Sequence, residues 1–523
     1  MEPTPFDRGA MRQCFRMKKI AQIPNGASNH HFHRIDWEKC PNYVAKCYAS
    51  KEGIPDTRNK TLCFEAVMLQ YEASHWAGVY NKAKPSKTVD FIRCFVLELQ
   101  DRPNGSNIFT VERFLSGNDV NGSEFIKYSN NAGLVNQNLQ RQTPQVFSAY
   151  SFYASRGTRL VTDIQGLGDL YTDPQIHSIE SRYGHGDLGP FGMALFFLSF
   201  HQTSYADAMG IPAFFLSRNE LIYQQQLKNE HPTDASLSLQ YPNQSRDGHG
   251  VKLSPSKNEA LDFLSLLSCK NTSFDYLTTE WTAAADLHNK GRKPLIPDEV
   301  TKHNIGEVHY QLAVFHGSES VYRYRTSTDR QTYHPVHDLE SCLFHLAHAA
   351  SFRHVRACLI LGRILSGTST TLSKSLKAPI PTDLETAKVL LRRGMEPSNF
   401  PVAASLRCAI GCRLIQVLKS HEDIENDSMV AATIEEVLKI YQLFSAHEEN
   451  VRVEMDGVDD NETLCFQRYQ LKIQLADLRL GTGDINAAVN LLEDAANDAN
   501  AIGKLQMGKE LRQKVKDILA LEG

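Results

Sequence analysis

Over residues 1–216 the hydrophobic pattern keeps changing period. Tyr43–Cys47 and Phe91–Leu99 are short runs dense in aliphatic and aromatic residues, and Leu160–Ile164 is a third. Runs of this length and composition predict strands. Between the first two, Phe64, Val67, Met68, Tyr71 and Trp76 recur at helical spacing, which predicts a helix over Leu62–Tyr80. Gly192–His201 is apolar on nearly every face, the pattern of a buried core helix.

Near Ser217 the pattern is lost. Residues 224–258 are rich in Gln, Asn, Ser, Pro and Asp and poor in large apolar groups. Such a segment buries too little to offset the entropy of ordering it. A linker is expected over 218–305, with Ala260–Leu267 as a short docked helix inside it. From residue 306 the pattern is helical to the end. Glu340–Leu365, then Leu384–Gly394 with Pro401–Leu418, then Leu464–Thr482 with Ile485–Ala499, read as helix pairs with Ala and Gly where helices meet. Repeated pairs of this kind predict an α-solenoid. The chain thus divides into 1–217, 218–305 and 306–523, with an α+β first part and an α-helical last part.

Composition narrows the class. With 523 residues the chain is too long for one core. A net charge of −4 argues against a general nucleic-acid binder. The 11 cysteines contain no C-x-x-C pair and fit reduced thiols in the cytoplasm. No apolar signal segment opens the chain, and no stretch reaches the length that spans a bilayer, so no membrane is expected.

Several signatures are missing. There is no P-loop, no H-R-D with D-F-G, and no G-x-S-x-G elbow. His33-Arg34-Ile35-Asp36 lies upstream of the candidate strand lysine and does not fit a catalytic loop. His30, His31 and His33 have no further ligands at a useful spacing and read as a solvated loop. The informative stretch is Val161–His177, VTDIQGLGDLYTDPQIH. Two carboxylates and an amide after a strand suit a magnesium clamp and a positioned hydroxyl, as phosphoryl transfer requires. Spacing alone suits an acidic turn better, since Asp and Gly are the common turn residues. Lys46 on its strand supplies a point charge for phosphates. Gly184–Gly189, GHGDLG, is a G-x-G-x-x-G match whose glycines allow close backbone approach.

Read in order, DIQG, TDPQIH, G-x-G-x-x-G and GMALFF resemble the signature of the alpha-kinase family. Pro5–Lys19, Glu98–Pro103 and Phe125–Asn131 resemble, within that family, the branch that acts on translation elongation factor 2. The likeness runs from about Pro5 to Ser217 and resumes over the C-terminal helices, which resemble SEL1-like repeats. It implies a two-lobed atypical kinase domain that transfers the γ-phosphate of ATP to a threonine or serine. Lys46 would contact ATP phosphate and Glu112 would lie near the adenine. Asp163 would orient or deprotonate the acceptor hydroxyl. Gln165 and Asp173 would hold Mg²⁺, and Gly184, Gly186 and Gly189 would form the glycine loop. The implied substrate is elongation factor 2, and the implied outcome is slowed translation elongation. An alpha-kinase acting on another protein, or a scaffold working through its helical repeats, are the alternatives.

Three departures from the family pattern matter. Its zinc-ligand positions hold Ala149, Phe200, Gln202 and Ala206, so no zinc is expected and apolar packing would fill the place. No basic amphipathic helix precedes Pro5, which leaves calmodulin control open. Lys84, Arg141 and Thr143 match the branch's phosphopeptide pocket, while its docking residue is not assignable, with Thr233, Ser236 and Ser238 as candidates.

Overall fold

The structure is a computed structural model. It describes residues 1–8, 12–19, 38–48, 56–100, 107–116, 124–133, 135, 141–229, 295–317, 338–368, 372, 374, 380–396, 402–420, 424–442, 452–453, 462–463 and 468–522. The histidines at 30, 31 and 33, the segment 260–267 and the phosphosite candidates lie outside them. Two compact units emerge, one of the described residues up to Asn304 and one from Ile305 onward.

In the first unit, β1 (Asp7–Arg8), β2 (Arg12–Lys18), β3 (Asn42–Tyr48), β5 (Cys94–Glu98) and β6 (Ile108–Arg113) form a sheet in the order β1-β2-β3-β6-β5. Its register sets Cys14 opposite Lys46, Lys46 opposite Thr110, and Val44 opposite Glu112. Side chains alternate across a pleat. Arg12, Lys46 and Glu112 therefore share one face, while Phe15, Ala45, Phe109 and Val111 pack on the other. Helix α1 (Asp56–Lys82) buries Cys63, Ala73, Ala77 and Tyr80 and leaves Phe64, Met68 and Tyr71 exposed. The spacing expected over Leu62–Tyr80 is helical, but three of its apolar markers face solvent.

The run Phe91–Leu99, expected as one strand, is divided between two sheets. β4 (Asp90–Phe91) runs parallel to β10 (Leu170–Thr172), whereas β5 joins the first sheet. Backbone bonds from Asp90 N to Asp169 O and from Ile92 N to Tyr171 O, 3.0 and 2.9 Å, hold the chain at the division. β7 (Phe125–Lys127) and β9 (Gln165–Leu167) complete a second sheet, β4-β10-β9-β7. β8 (Arg159–Thr162) pairs with β11 (Gln175–Ser178). So Val161–His177 is a tight β9–β10 hairpin nested inside the antiparallel β8–β11 pair.

Two helices support these strands. α2 (Thr143–Ala154) starts with Pro144 in its first turn and is buried along nearly its whole length. Its serines turn their hydroxyls back to carbonyls, and Ser151 Oγ accepts from Val161 N at 2.9 Å. α3 (Gly189–Ser199) is the predicted core helix. A Cβ on Gly192 would lie 2.5 Å from the His177 ring, so only glycine fits. α4 (Ser204–Ala208) follows. Residues 218–229, expected within the linker, instead form helix α5 (Arg218–Asn229), and Gln224 Nε2 donates to the carbonyls of Leu198 and Phe200. Those bonds cap the last carbonyls of α3, a tertiary interaction that composition does not reveal.

The second unit is helical: α6 (Glu299–Gly317), which begins in the first unit, α7 (Leu339–Ser351), α8 (Val355–Leu365), α9 (Leu384–Met395), α10 (Ala404–Lys419) and α11 (Ile424–Tyr441). After the short pair β12 (Arg452–Val453) and β13 (Glu462–Thr463) come α12 (Arg468–Gly481), α13 (Ile485–Ala501) and α14 (Leu505–Glu522). Asp338, Asp383 and Asp484 each cap a helix N-terminus through a side-chain oxygen. Glycines mark successive crossings. A Cβ on Gly362 would meet Leu391 at 2.5 Å, one on Gly394 would meet Ile410 at 2.8 Å, and one on Gly411 would meet Val437 at 2.2 Å. Among the described residues no helix is long and apolar enough to cross a membrane.

His309, His345 and His348 are buried between α6 and α7, with His309 Nδ1 2.9 Å from His345 Nδ1. Burial, then His345 and His348, push His309 well below its ordinary 6.5. The unfolded chain takes up a proton near pH 6.5 that the folded chain refuses. Stability is therefore intact above that pH and falls as pH drops through it, by up to about 1.4 kcal/mol per pH unit. Denaturation of the full chain at pH 7.5 and 5.5, read by a probe in this unit, is expected to show a larger acid loss for wild type than for His309→Leu. Equal losses would remove His309 as the cause.

Candidate active site

Three strands of the first sheet and the tip of the second converge on one carboxylate. Lys46 is nine-tenths buried, with its Nζ 2.7 Å from Glu112 Oε1 and 3.8 Å from Asp173 Oδ2. Arg12 Nη2 ion-pairs with Asp173 Oδ1. Thr172 Oγ1 donates to the second oxygen of Glu112 at 2.8 Å. Burial alone would raise the Asp173 carboxyl, but Arg12 and then Lys46 outweigh it and hold it at about 2. Burial likewise lowers Lys46, and Asp173 and Glu112 more than reverse that, leaving it raised. Both groups are thus charged at neutral pH.

Asp163 follows β8 in the left-handed region, φ 56°, and Asp173 follows β10 in the same conformation, φ 54°. Aspartate tolerates this better than most residues. Asp163 is held by its neighbours: Ile164 N donates to Ser129 Oγ at 3.0 Å, and Tyr128 N donates to Ile164 O at 2.8 Å. Its carboxylate receives Lys127 Nζ at 2.9 Å. Burial pushes Asp163 up to about 6, with Lys127 pulling the other way. Two carboxylates ten residues apart are therefore driven in opposite directions, the usual mark of divided roles in a site.

Gln165 joins them. Its Nε2 donates to the Asp173 carbonyl at 3.2 Å, which fixes the amide. Asp173 N in turn donates to Gln70 Oε1 of α1 at 3.2 Å. The Gln165 amide oxygen and the Asp173 carboxylate are hard oxygen donors suited to Mg²⁺. Lys46 and Arg12 are the adjacent cations suited to phosphate.

The glycine loop is a 3₁₀ turn, Gly184–Gly186, that leads into α3. Gly184 and Gly189 have φ 73° and 63°. A Cβ on Gly186 would lie 1.8 Å from Gln175 Oε1, so the loop lies against β11. Gln175 pairs with Thr162, next to Asp163. The expected site residues Lys46, Glu112, Asp163, Gln165 and Asp173 are thus brought together, with Gly186 at their edge. Glu112 has its carboxylate on Lys46 and Thr172.

The phosphopeptide candidates are less gathered. Arg141 ion-pairs with Asp169. Thr143 is buried in the first turn of α2, and Lys84 is exposed past the end of α1 with φ 54°. Of the four positions expected to match the family's zinc ligands, Ala149 and Ala206 are fully buried and Phe200 stacks on Phe196, ring centroids 5.5 Å apart. Gln202 Nε2 donates to Asp207 Oδ1 at 2.7 Å and to Ile211 O at 3.0 Å.

Sequence reasoning missed Arg12 and Lys127. Arg12 had a usable signal, since pairing β2 with β3 puts it two residues from Cys14 on the face of Lys46. Lys127 had none beyond its place in FIKYSNN, because one lysine on a short strand is ordinarily solvated.

Residues 7–206 match the alpha-kinase family. The chain is 41% identical to eukaryotic elongation factor 2 kinase of Mus musculus over 221 residues, which is 42% of this chain and 28% of that protein. It is 40% identical to the Caenorhabditis elegans protein of the same name over 222 residues, 42% of this chain and 26% of that one. The matched stretch thus spans little more than a quarter of either relative. A solved structure of the alpha-kinase domain of myosin heavy chain kinase A in complex with ADP aligns at 30% identity, covering 41% of this chain and 88% of that one, with a TM-score of 0.33. The stretch that carries Arg12, Lys46, Asp163 and Asp173 is therefore a domain of the alpha-kinase family, homologous to known protein kinases.

Proposed function

We propose that this chain is a Mg·ATP-dependent protein kinase that phosphorylates a threonine of translation elongation factor 2 and thereby slows elongation in the cytoplasm. The single observation that carries the reading is the meeting of Lys46, Arg12 and Asp173 beside Asp163 in a domain of the alpha-kinase family. The 41% identity to elongation factor 2 kinase supports the substrate. The 36% identity to myosin heavy chain kinase B of Dictyostelium discoideum makes another protein substrate the alternative outcome.

In this reading Lys46 and Arg12 bind phosphate oxygens. Glu112 holds Lys46 in place. Gln165 and Asp173 hold the Mg²⁺ that neutralises charge on the transferring group when it is bound. Asp163, kept near pH 6 by burial, accepts the proton of the acceptor hydroxyl or orients it. Residues 1–217 are the kinase domain, 218–305 a regulatory segment, and 306–523 SEL1-like repeats that recruit the substrate. Lys84, Arg141 and Thr143 serve as a phosphopeptide pocket. Apolar packing of Ala149, Phe200 and Ala206 takes the place of the family's zinc, since a methyl and a phenyl group cannot ligate a metal.

Radiolabel transfer from Mg·ATP to purified elongation factor 2 is expected for the wild-type chain, with or without Ca²⁺/calmodulin defining its control. Asp163→Ala is expected to lower it roughly 10²- to 10⁴-fold. No transfer by wild type to any acceptor would sink the reading.

The acidic limb of the pH–rate profile is expected at about 6, because Asp163 must be ionised to act. Lys127 lowers the Asp163 value, so Lys127→Ala is expected to move that limb to higher pH. A limb that stays put would detach Lys127 from Asp163. Elemental analysis of the purified chain is expected to find no stoichiometric zinc, and about one zinc per chain would refute the packing account.

A further inference from the structure

Gln70 of α1 has no part in the chemistry above, yet its side chain is buried. The other residues that α1 buries include Cys63, Leu69, Ala73 and Ala77, so an amide belongs here only if both its ends are bonded. Both are. Gln70 Oε1 accepts from Asp173 N at 3.2 Å, and Nε2 donates to Ile92 O at 2.6 Å. Ile92 N in turn donates to Tyr171 O at 2.9 Å, two residues before Asp173. One side chain thus joins α1, the chain just past β4 and the end of β10.

Asp173 needs such a hold. Its φ of 54° is left-handed, and Pro174 follows it. Aspartate tolerates left-handed backbone, but a residue before proline is pushed toward extended backbone, so Asp173 is held against its preference. Two side-chain amides hold it. Gln165 Nε2 donates to the Asp173 carbonyl at 3.2 Å, and Gln70 receives the N–H. Gln165 pairs with Thr172 across the β9–β10 hairpin and so moves with it. Gln70 is the backbone grip that comes from outside the hairpin. The Asp173 carboxylate is bonded to Arg12 and lies 3.8 Å from Lys46, two cations that phosphate oxygens would also engage. The grip of Gln70 on the backbone does not compete with a ligand in that way.

We propose that Gln70 is a positioning residue for the divalent cation of phosphoryl transfer: by holding the Asp173 backbone it aims the Asp173 carboxylate to receive Mg²⁺, and it makes that aim depend on where α1 lies. The inference rests on the kinase reading and adds to it a residue that fixes a metal ligand from outside the ligand's own hairpin. Outer contacts that orient a metal ligand raise metal affinity. Glutamine suits the place because one planar amide offers both an acceptor and a donor. Ionised glutamate has no donor for Ile92 O. Methionine keeps the length but has no donor and only a weak sulfur acceptor.

The test uses the full chain with Gln70→Met and Gln70→Glu, and Mg²⁺ as the probe. A fluorescent ATP analogue is titrated in EDTA and again over a Mg²⁺ series, and phosphate transfer to purified elongation factor 2 is followed over the same series. For Gln70→Met we expect the Mg²⁺ concentration that half-saturates both signals to rise about tenfold or more, while analogue affinity in EDTA stays within about twofold of wild type. Gln70→Glu keeps the acceptor for Asp173 N and loses the donor, so a smaller rise, of about threefold or more, is expected. If Gln70→Met does not fold, Gln70→Glu decides. A purely structural amide would lower the melting temperature and leave the Mg²⁺ requirement unchanged. That result, or a parallel loss of analogue affinity in EDTA, overturns the inference. Wild-type chain that binds the analogue with Mg²⁺ but transfers no phosphate to any acceptor overturns the kinase reading instead, and the binding series still decides the role of Gln70.

Discussion

The Lys46 ammonium and the Glu112 carboxylate are buried and the Asp173 carboxylate is only partly exposed, and charges so placed are tolerated only with compensation. Arg12 comes from β2, Lys46 from β3, and Asp173 itself from the end of β10 in the other sheet. Their attraction joins the two sheets of the first unit. Glu112 supplies the balancing second carboxylate, so Lys46 is satisfied on both sides and Thr172 is drawn in as a donor. The requirement for neutral bookkeeping in a low-dielectric place thus decides which strands meet. The result is two cations and two carboxylates gathered at one place.

Backbone conformation makes the same point. Asp163 and Asp173 both lie in the left-handed region, and Gly166 between them has φ 155° with its place for a Cβ 2.1 Å from Leu170 O. Such residues persist only where the surroundings over-determine them. Here the surroundings are Ser129, Gln70 and Gln165, each bonded to backbone next to a carboxylate. The backbone beside each acid is thus tied to a neighbouring strand or helix.

Around this centre the packing is aromatic. Phe147, Phe152, Phe196 and Phe197 are fully buried, and Phe197 stacks on Phe214 at 4.4 Å. Edge and stacked contacts of this kind add to the area they bury. Phe200 stacks on Phe196 and so belongs to the same core. The second unit relies on a different device, small residues at helix crossings. Gly362, Gly394 and Gly411 each let a neighbouring aliphatic side chain approach to within the space of a Cβ.

The sequence by itself determined the elements whose pattern is local. β3, the core helix α3, the helix pairs of the second unit and the acids of DIQG and TDPQIH were all legible, because periodicity and short motifs depend only on neighbours along the chain. The tertiary structure decided what depends on residues far apart. It divided Phe91–Leu99 between two sheets, turned residues 218–229 into a helix capped onto α3, and brought Arg12 to Asp173 across 161 positions. It also gave the two aspartates opposite proton affinities, since burial and cations, not sequence spacing, set the cost of a charge.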